Sequence, residues 1–257
     1  MKSRIVLLVT SAIAIMALGG TTAHAKTLAI GNPLTGPDYS DSMFTGPPDP
    51  CCTAVNAKLI SGADGASPTD GTVITWAVGN PHGAYAPTVI QPNPNGTYTG
   101  VVAGPTVALN NPASASPTQS TNLPIKAGQL FALSLSGHIY ESFTGGLGGY
   151  SEHGPLTPGV TDNLTGGLSV DNYAFTATIR YCEVPNVVGQ TVATATQTLA
   201  SSDCTLGQVI KAKRKKKKVK KSKAPKVTRQ SVAPGTKISD TAPIDLTFAK
   251  KKKKRKK

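Results

Sequence analysis

The chain has 257 residues, of which 26 are Gly and 20 are Pro, and only 5% are aromatic. That density of turn formers disfavours an all-helical bundle. The formal charge of +14 is unevenly placed: residues 211–226 hold eleven basic side chains and residues 250–257 hold eight, so the excess describes two tracts rather than a basic fold.

At the N-terminus, Lys2 and Arg4 precede a fourteen-residue apolar run at 5–18, and Ala23-His24-Ala25 forms a small-x-small cleavage site. A membrane anchor needs ~20 apolar residues, and Gly19, Gly20, Thr21 and Thr22 interrupt this run earlier. Residues 1–25 are therefore expected to be a signal peptide, with the mature chain starting at Lys26 outside the cytoplasm and carrying no transmembrane segment. An oxidising compartment makes Cys51, Cys52, Cys182 and Cys204 readable as disulfide partners. Cys182 with Cys204 is the favoured pair, because both fall in one small C-terminal unit. Cys51 and Cys52 are left as a vicinal disulfide, two free thiols, or one partner each for the other two cysteines.

Residues 26–181 carry four basic and nine acidic side chains, whereas residues 182–257 carry 21 basic and four acidic ones. Such asymmetry marks two units with different partners. After an extended segment at 26–53, residues 54–181 read as an all-β domain. Runs rich in Val, Ile, Thr, Tyr and Phe recur at 53–60, 72–78, 86–91, 97–102, 129–135 and 172–181. Asp70-Gly71, Asn80-Pro81 and Asn95-Gly96 supply the turn chemistry that ends such runs. Tyr173, Phe175, Ala177 and Ile179 alternate with Ala174, Thr176, Thr178 and Arg180, the period of a half-buried strand. Many short strands with few charges describe a β-sandwich or jelly roll.

The phrases Asp70-Gly71-Thr72-Val73 leading to Trp76, Gly96-Thr97-Tyr98, and Pro124-Ile125-Lys126-Ala127-Gly128 resemble extracellular β-sandwich domains of secreted bacterial proteins. The resemblance implies an architecture with a tight turn at Gly128, and no activity. Trp76, the one tryptophan, reads as core, with a sugar-stacking platform as the alternative. Residues 144–167 hold eight glycines and read as a long loop, a feature that is either functional or disordered. His138, Glu141, Glu152, His153 and Asp162 lie in or beside it, but their spacing matches no ligand motif, so no metal site is assigned. His82 reads as a turn residue. No GxSxG, HExxH, P-loop or GxGxxG pattern occurs, so no catalytic residue and no cofactor is assigned.

The C-terminal unit reads as a small α+β fold in the order strand, helix, strand, strand, strand. Thr191 is a credible helix N-cap, with Ala195 and Leu199 on one face, and Pro234-Gly235 is a type II turn signature. V-P-N-V-V-G at 184–189, the Ala195/Leu199 helix, L-G-Q-V at 206–209 and Q-S-V-A-P-G-T-K-I at 230–238 together resemble a PASTA domain, the module associated with penicillin-binding proteins and Ser/Thr kinases. The sequence departs from that pattern at Asp240-Thr241-Ala242, where a Gly-Ser-like turn is usual. The resemblance implies a non-catalytic extracellular module, often associated with peptidoglycan.

Within this unit, at 182–249, the tract at 211–226 is expected to be a lysine-rich hairpin insert, and 250–257 a disordered polylysine tail. Lys213, Arg214, Lys215, Lys216, Lys217, Lys218, Lys220 and Lys221, with Lys250, Lys251, Lys252, Lys253, Lys254, Arg255, Lys256 and Lys257, are the candidate polyanion-binding residues. Export argues against a physiological nucleic-acid partner, and no aromatic side chain interleaves the lysines to stack bases. The expected protein is therefore secreted, non-enzymatic and cell-envelope associated, held by its basic module to peptidoglycan, another anionic envelope polymer or a membrane surface. The alternative is a carbohydrate-binding or hydrolytic sandwich with a passive C-terminal anchor.

Overall fold

The computed structural model describes residues 26–34, 51–110, 115–138, 141–142, 147–151, 153–164, 172–212 and 224–249. The expected signal peptide at 1–25, Glu152, the core of the lysine tract at 213–223 and the tail at 250–257 lie outside these residues. The first strands are β1 (Lys26–Gly31), β2 (Cys52–Lys58), β3 (Gly71–Val78), β4 (His82–Pro92), β5 (Tyr98–Ala103), β6 (Val107–Asn110), β7 (Gln119–Ile125) and β8 (Leu130–His138). There follow β9 (Glu141–Ser142), β10 (Leu147–Tyr150), β11 (Thr161–Asp162), β12 (Asn172–Tyr173) and β13 (Phe175–Glu183). The C-terminal elements are α1 (Val192–Ala200), β14 (Leu206–Lys211), β15 (Lys226–Gln230), β16 (Lys237–Ser239) and β17 (Ile244–Ala249).

A five-stranded sheet runs β1-β13-β3-β7, with β16 also on β13. A seven-stranded sheet runs β10-β2-β8-β4-β5-β11, with β6 also on β4. The alternation read in 172–181 holds through β13: Phe175, Ala177 and Ile179 are buried and Thr176, Thr178 and Arg180 are partly exposed. They join Val73, Trp76 and Val78 of β3 and Tyr85, Val89, Phe131 and Leu133 of the other sheet in one hydrophobic cluster. Each sheet thus hides one apolar face against the other, which removes both from water. The turn before β8 forms as its residues require. Gly128 adopts φ +83°, a conformation an L side chain resists, and Gln129 N–H donates to the Lys126 carbonyl at 3.0 Å.

Two expectations are corrected here. Residues 26–31, read as part of an extended segment, form β1 and pair along their whole length with β13. The glycine-rich stretch read as a loop at 144–167 contains β10, paired with β2, and β11, paired with β5. It also supplies Leu156 and Leu164 to a second cluster with Val55, Ile90, Leu130 and Ala132, on the side of the seven-stranded sheet away from the first cluster. Residues of that stretch therefore cover a second apolar face, which neither their glycine content nor any periodicity announces.

The C-terminal unit has its own cluster, built from Cys182, Val184, Val187, Ala195, Leu199, Cys204, Val227, Ile244 and Leu246. Thr191 caps α1 as expected, its Oγ1 accepting from the Thr194 N–H at 3.2 Å, and Ala195 and Leu199 are the buried helix residues. Gly235 has φ +80° at the third position of the Pro-Gly turn. Gln230, 8% exposed, accepts from Val187 N–H at 3.0 Å and donates to the Pro185 and Val232 carbonyls. A buried amide is stable there because both its ends are hydrogen-bonded.

Candidate polyanion-binding site

The three-stranded sheet of the C-terminal unit has the order β14-β17-β15, with β14 parallel and β15 antiparallel to β17. Lys211 at the end of β14 is level with Phe248, and Lys226 at the start of β15 is level with Ala249. Ala212 N–H extends the ladder to the Phe248 carbonyl at 3.0 Å. The points where the chain enters and leaves 213–223, and the point where it enters 250–257, therefore share one end of one sheet. At ~4.8 Å between neighbouring strands, they span roughly 10 Å. The two runs that hold the sixteen candidate polyanion-binding residues lie outside the described residues, and only the described ends that lead into them are placed here. Lys211, Lys226 and Arg229 add exposed charge on the described strands. The expected hairpin at 211–226 is corrected: β14 and β15 are not neighbours, because β17 lies between them.

Cys182 and Cys204 lie at disulfide distance with their alpha-carbons 5.0 Å apart, tying the end of β13 to the segment after α1. Cys51 and Cys52 lie at disulfide distance from each other.

Of the titratable residues around the glycine-rich stretch, the structure brings two together. His153 Nδ1 is 2.8 Å from Asp162 Oδ1, and His153 N–H donates to Asp162 Oδ2 at 2.7 Å. Burial pushes the Asp162 carboxyl up, but the His153 side-chain and backbone hydrogen bonds, with one from Asn163 N–H, outweigh it and hold the group below its ordinary value. His138 and Glu141 are on β8 and β9. No group of three metal-ligating side chains forms among the described residues. Trp76 is 1% exposed and belongs to the main core, so it offers no ring face to a sugar. A trough of about 300 Å³ runs over Ala84, Ala86, Ser134 and Ser136, walled by Pro155 and Thr157. Among the described residues its lining carries no titratable side chain.

The sequence reading missed the joint between the two clusters. Strand β13 continues past Tyr181 and pairs there with β16, in the register Tyr181 to Ser239 and Cys182 to Ile238. Just beyond β16, the Asp240 carboxylate accepts from Thr72 Oγ1 at 2.6 Å and from Arg180 Nε, with its side chain 6% exposed. Lys26 Nζ pairs with Glu183 beside it. That hydrogen bond raises the Lys26 ammonium and lowers the Glu183 carboxyl from their ordinary values. The one signal in the sequence was the aspartate standing where a small turn residue is usual.

Among the described residues no helix is long and apolar enough to cross a membrane. Comparison with curated proteins and with solved structures finds no match. The family model of the PASTA domain matches residues 183–250, the unit that presents the basic end, and the C-terminal part of this chain is therefore a PASTA domain.

Proposed function

We propose that this is a secreted, non-enzymatic cell-envelope protein with two domains, a β-sandwich followed by a PASTA domain that attaches it to peptidoglycan or another anionic envelope polymer. A PASTA domain points to a cell-wall-related binding role. The observation that carries the finer reading is that Lys211, Lys226 and Ala249, the described residues that flank both lysine runs, lie at one end of the β14-β17-β15 sheet. Near an anionic surface each basic side chain contributes about 1 kcal/mol. Export through residues 1–25 places that end outside the cytoplasm, and N-terminal sequencing of secreted material should begin at Lys26.

The test is sedimentation of the full chain with purified cell wall at 0.1 M and 1 M salt. The screening length falls from ~10 Å to ~3 Å between these conditions. Binding is expected to collapse at 1 M salt. It should also fall at least tenfold at 0.1 M when residues 250–257 are deleted and Lys215, Lys216, Lys217 and Lys218 become Gln. Unchanged binding of that variant in high salt would replace the electrostatic account with a shaped pocket.

A further inference from the structure

The two outer edges of the three-stranded sheet are treated differently. On the β15 side the chain closes its own edge: Gly189 N–H donates to the Val227 carbonyl, Val227 N–H donates to the Gln190 carbonyl, and Thr191 bridges to Lys226. On the β14 side no strand among the described residues pairs with the outer edge. Four consecutive residues of β14, 208–211, are exposed. They include Val209 at 41% and Ile210 at 44%, two of the five exposed large hydrophobics among the described residues. Proteins usually blunt such an edge with charge, proline or a covering element. Here two β-branched apolar side chains, which favour pairing, occupy its centre.

Strand alternation tells which backbone groups are open. Ala212 N–H points to β17, where it meets the Phe248 carbonyl, and Gln208 N–H points the same way, to Asp245 Oδ1 at 2.7 Å. Residues 208, 210 and 212 thus direct their amides inward, and the alternate residues Val209 and Lys211 direct theirs outward. Lys211 closes the strand and leads into the basic run.

We propose that β14 is a docking edge for an extended acidic polypeptide segment, which adds as a fourth strand through the backbone of Val209 and Lys211. Its apolar side chains lie along Val209 and Ile210, and its acidic residues lie level with Lys211. Charge selects this occupant. A second copy of the chain would bring another unit with 21 basic and four acidic residues to the same place, and like charges oppose that association. The edge differs from polymer attachment in using backbone groups and apolar contact that a polyanion does not use.

The probe is a twelve-residue peptide with alternating Val and Thr followed by four Glu, titrated into the full chain. Its controls are the same peptide N-methylated at alternate residues and a twelve-residue poly-Glu. The plain peptide should bind at least tenfold more tightly than either control and should slow hydrogen exchange at Val209 and Lys211. Val209→Pro removes an outward amide while sparing the bonds to β17, as proline does on an edge. It should cut peptide affinity at least tenfold and leave cell-wall sedimentation unchanged. The methylated peptide keeps the test valid should the proline variant fail to fold. Equal binding of poly-Glu and the plain peptide would overturn the proposal in favour of charge alone. Concentration-dependent dimerisation abolished by Val209→Pro would overturn it in favour of a second copy.

Discussion

Removing the Asp240 carboxylate tests whether the PASTA domain is locked onto the five-stranded sheet. In Asp240→Ala the Thr72 hydroxyl, on a residue 3% exposed, loses its acceptor, and an orphaned buried hydroxyl costs about 1–3 kcal/mol. The Arg180 side chain is 36% exposed and can turn to water, so its share is about 1 kcal/mol or less. The expected loss is about 1–4 kcal/mol. Arg180→Met should cost more, about 3–5 kcal/mol, because it leaves a nearly buried carboxylate with a single neutral donor. The double variant should lose less than the sum, since the two residues share one interaction. Urea unfolding with an unchanged m-value reads these differences as midpoint shifts. Hydrogen exchange should localise the loosening to Cys182 and Ile238, where β13 meets β16. A smaller loss for Arg180→Met than for Asp240→Ala, or losses below about 0.5 kcal/mol in both, as at an ordinary surface site, would refute the reasoning.

Cys204→Ser, which opens a bridge between residues 22 apart, should destabilise the PASTA domain by about 3 kcal/mol in the chain-entropy picture, measured by urea midpoint against wild type. Thr191→Ala should cost about 1 kcal/mol through loss of the helix cap, and Thr191→Ser should restore most of it in the same assay. Asp162 has its folded pKa below the ordinary value of 3.8, so its contribution is fully present above that value and is lost as pH falls through the lowered one. The protection factors of the Thr99 and Thr161 amides, referenced to intrinsic exchange, should therefore fall in acid, and Asp162→Asn should remove that pH dependence.

Local chemistry explains what could be read in advance. Strand β3 was legible in TVITWAV, β13 in the alternation from Tyr173 to Arg180, and α1 in Thr191, Ala195 and Leu199, because each pattern repeats within a few residues. The PASTA resemblance rested on phrases of the same kind, and pairing Cys182 with Cys204 followed from their place in one unit. Strand β1 was missed because its six residues are bounded on one side only, by Gly31-Asn32-Pro33, with no turn signal before Lys26. The structure within 144–167 was missed because glycines hide the strand period.

By itself the sequence determined several of the strands and the helix, which side chains are apolar enough to be buried, how the charge divides, and that residues 184–249 resemble a PASTA domain. Tertiary structure alone decided that β17 separates β14 from β15, so that Lys211, Lys226 and Ala249 share one end of a sheet. It also decided that Thr72, Arg180 and Asp240 meet, that Trp76 faces inward, and that one edge of the PASTA sheet is closed while the other is left open. The physical reason is that strand order and register are set by which apolar faces bury one another over long separations. Thr72 and Asp240 stand 168 residues apart, and no periodicity within either segment records the other.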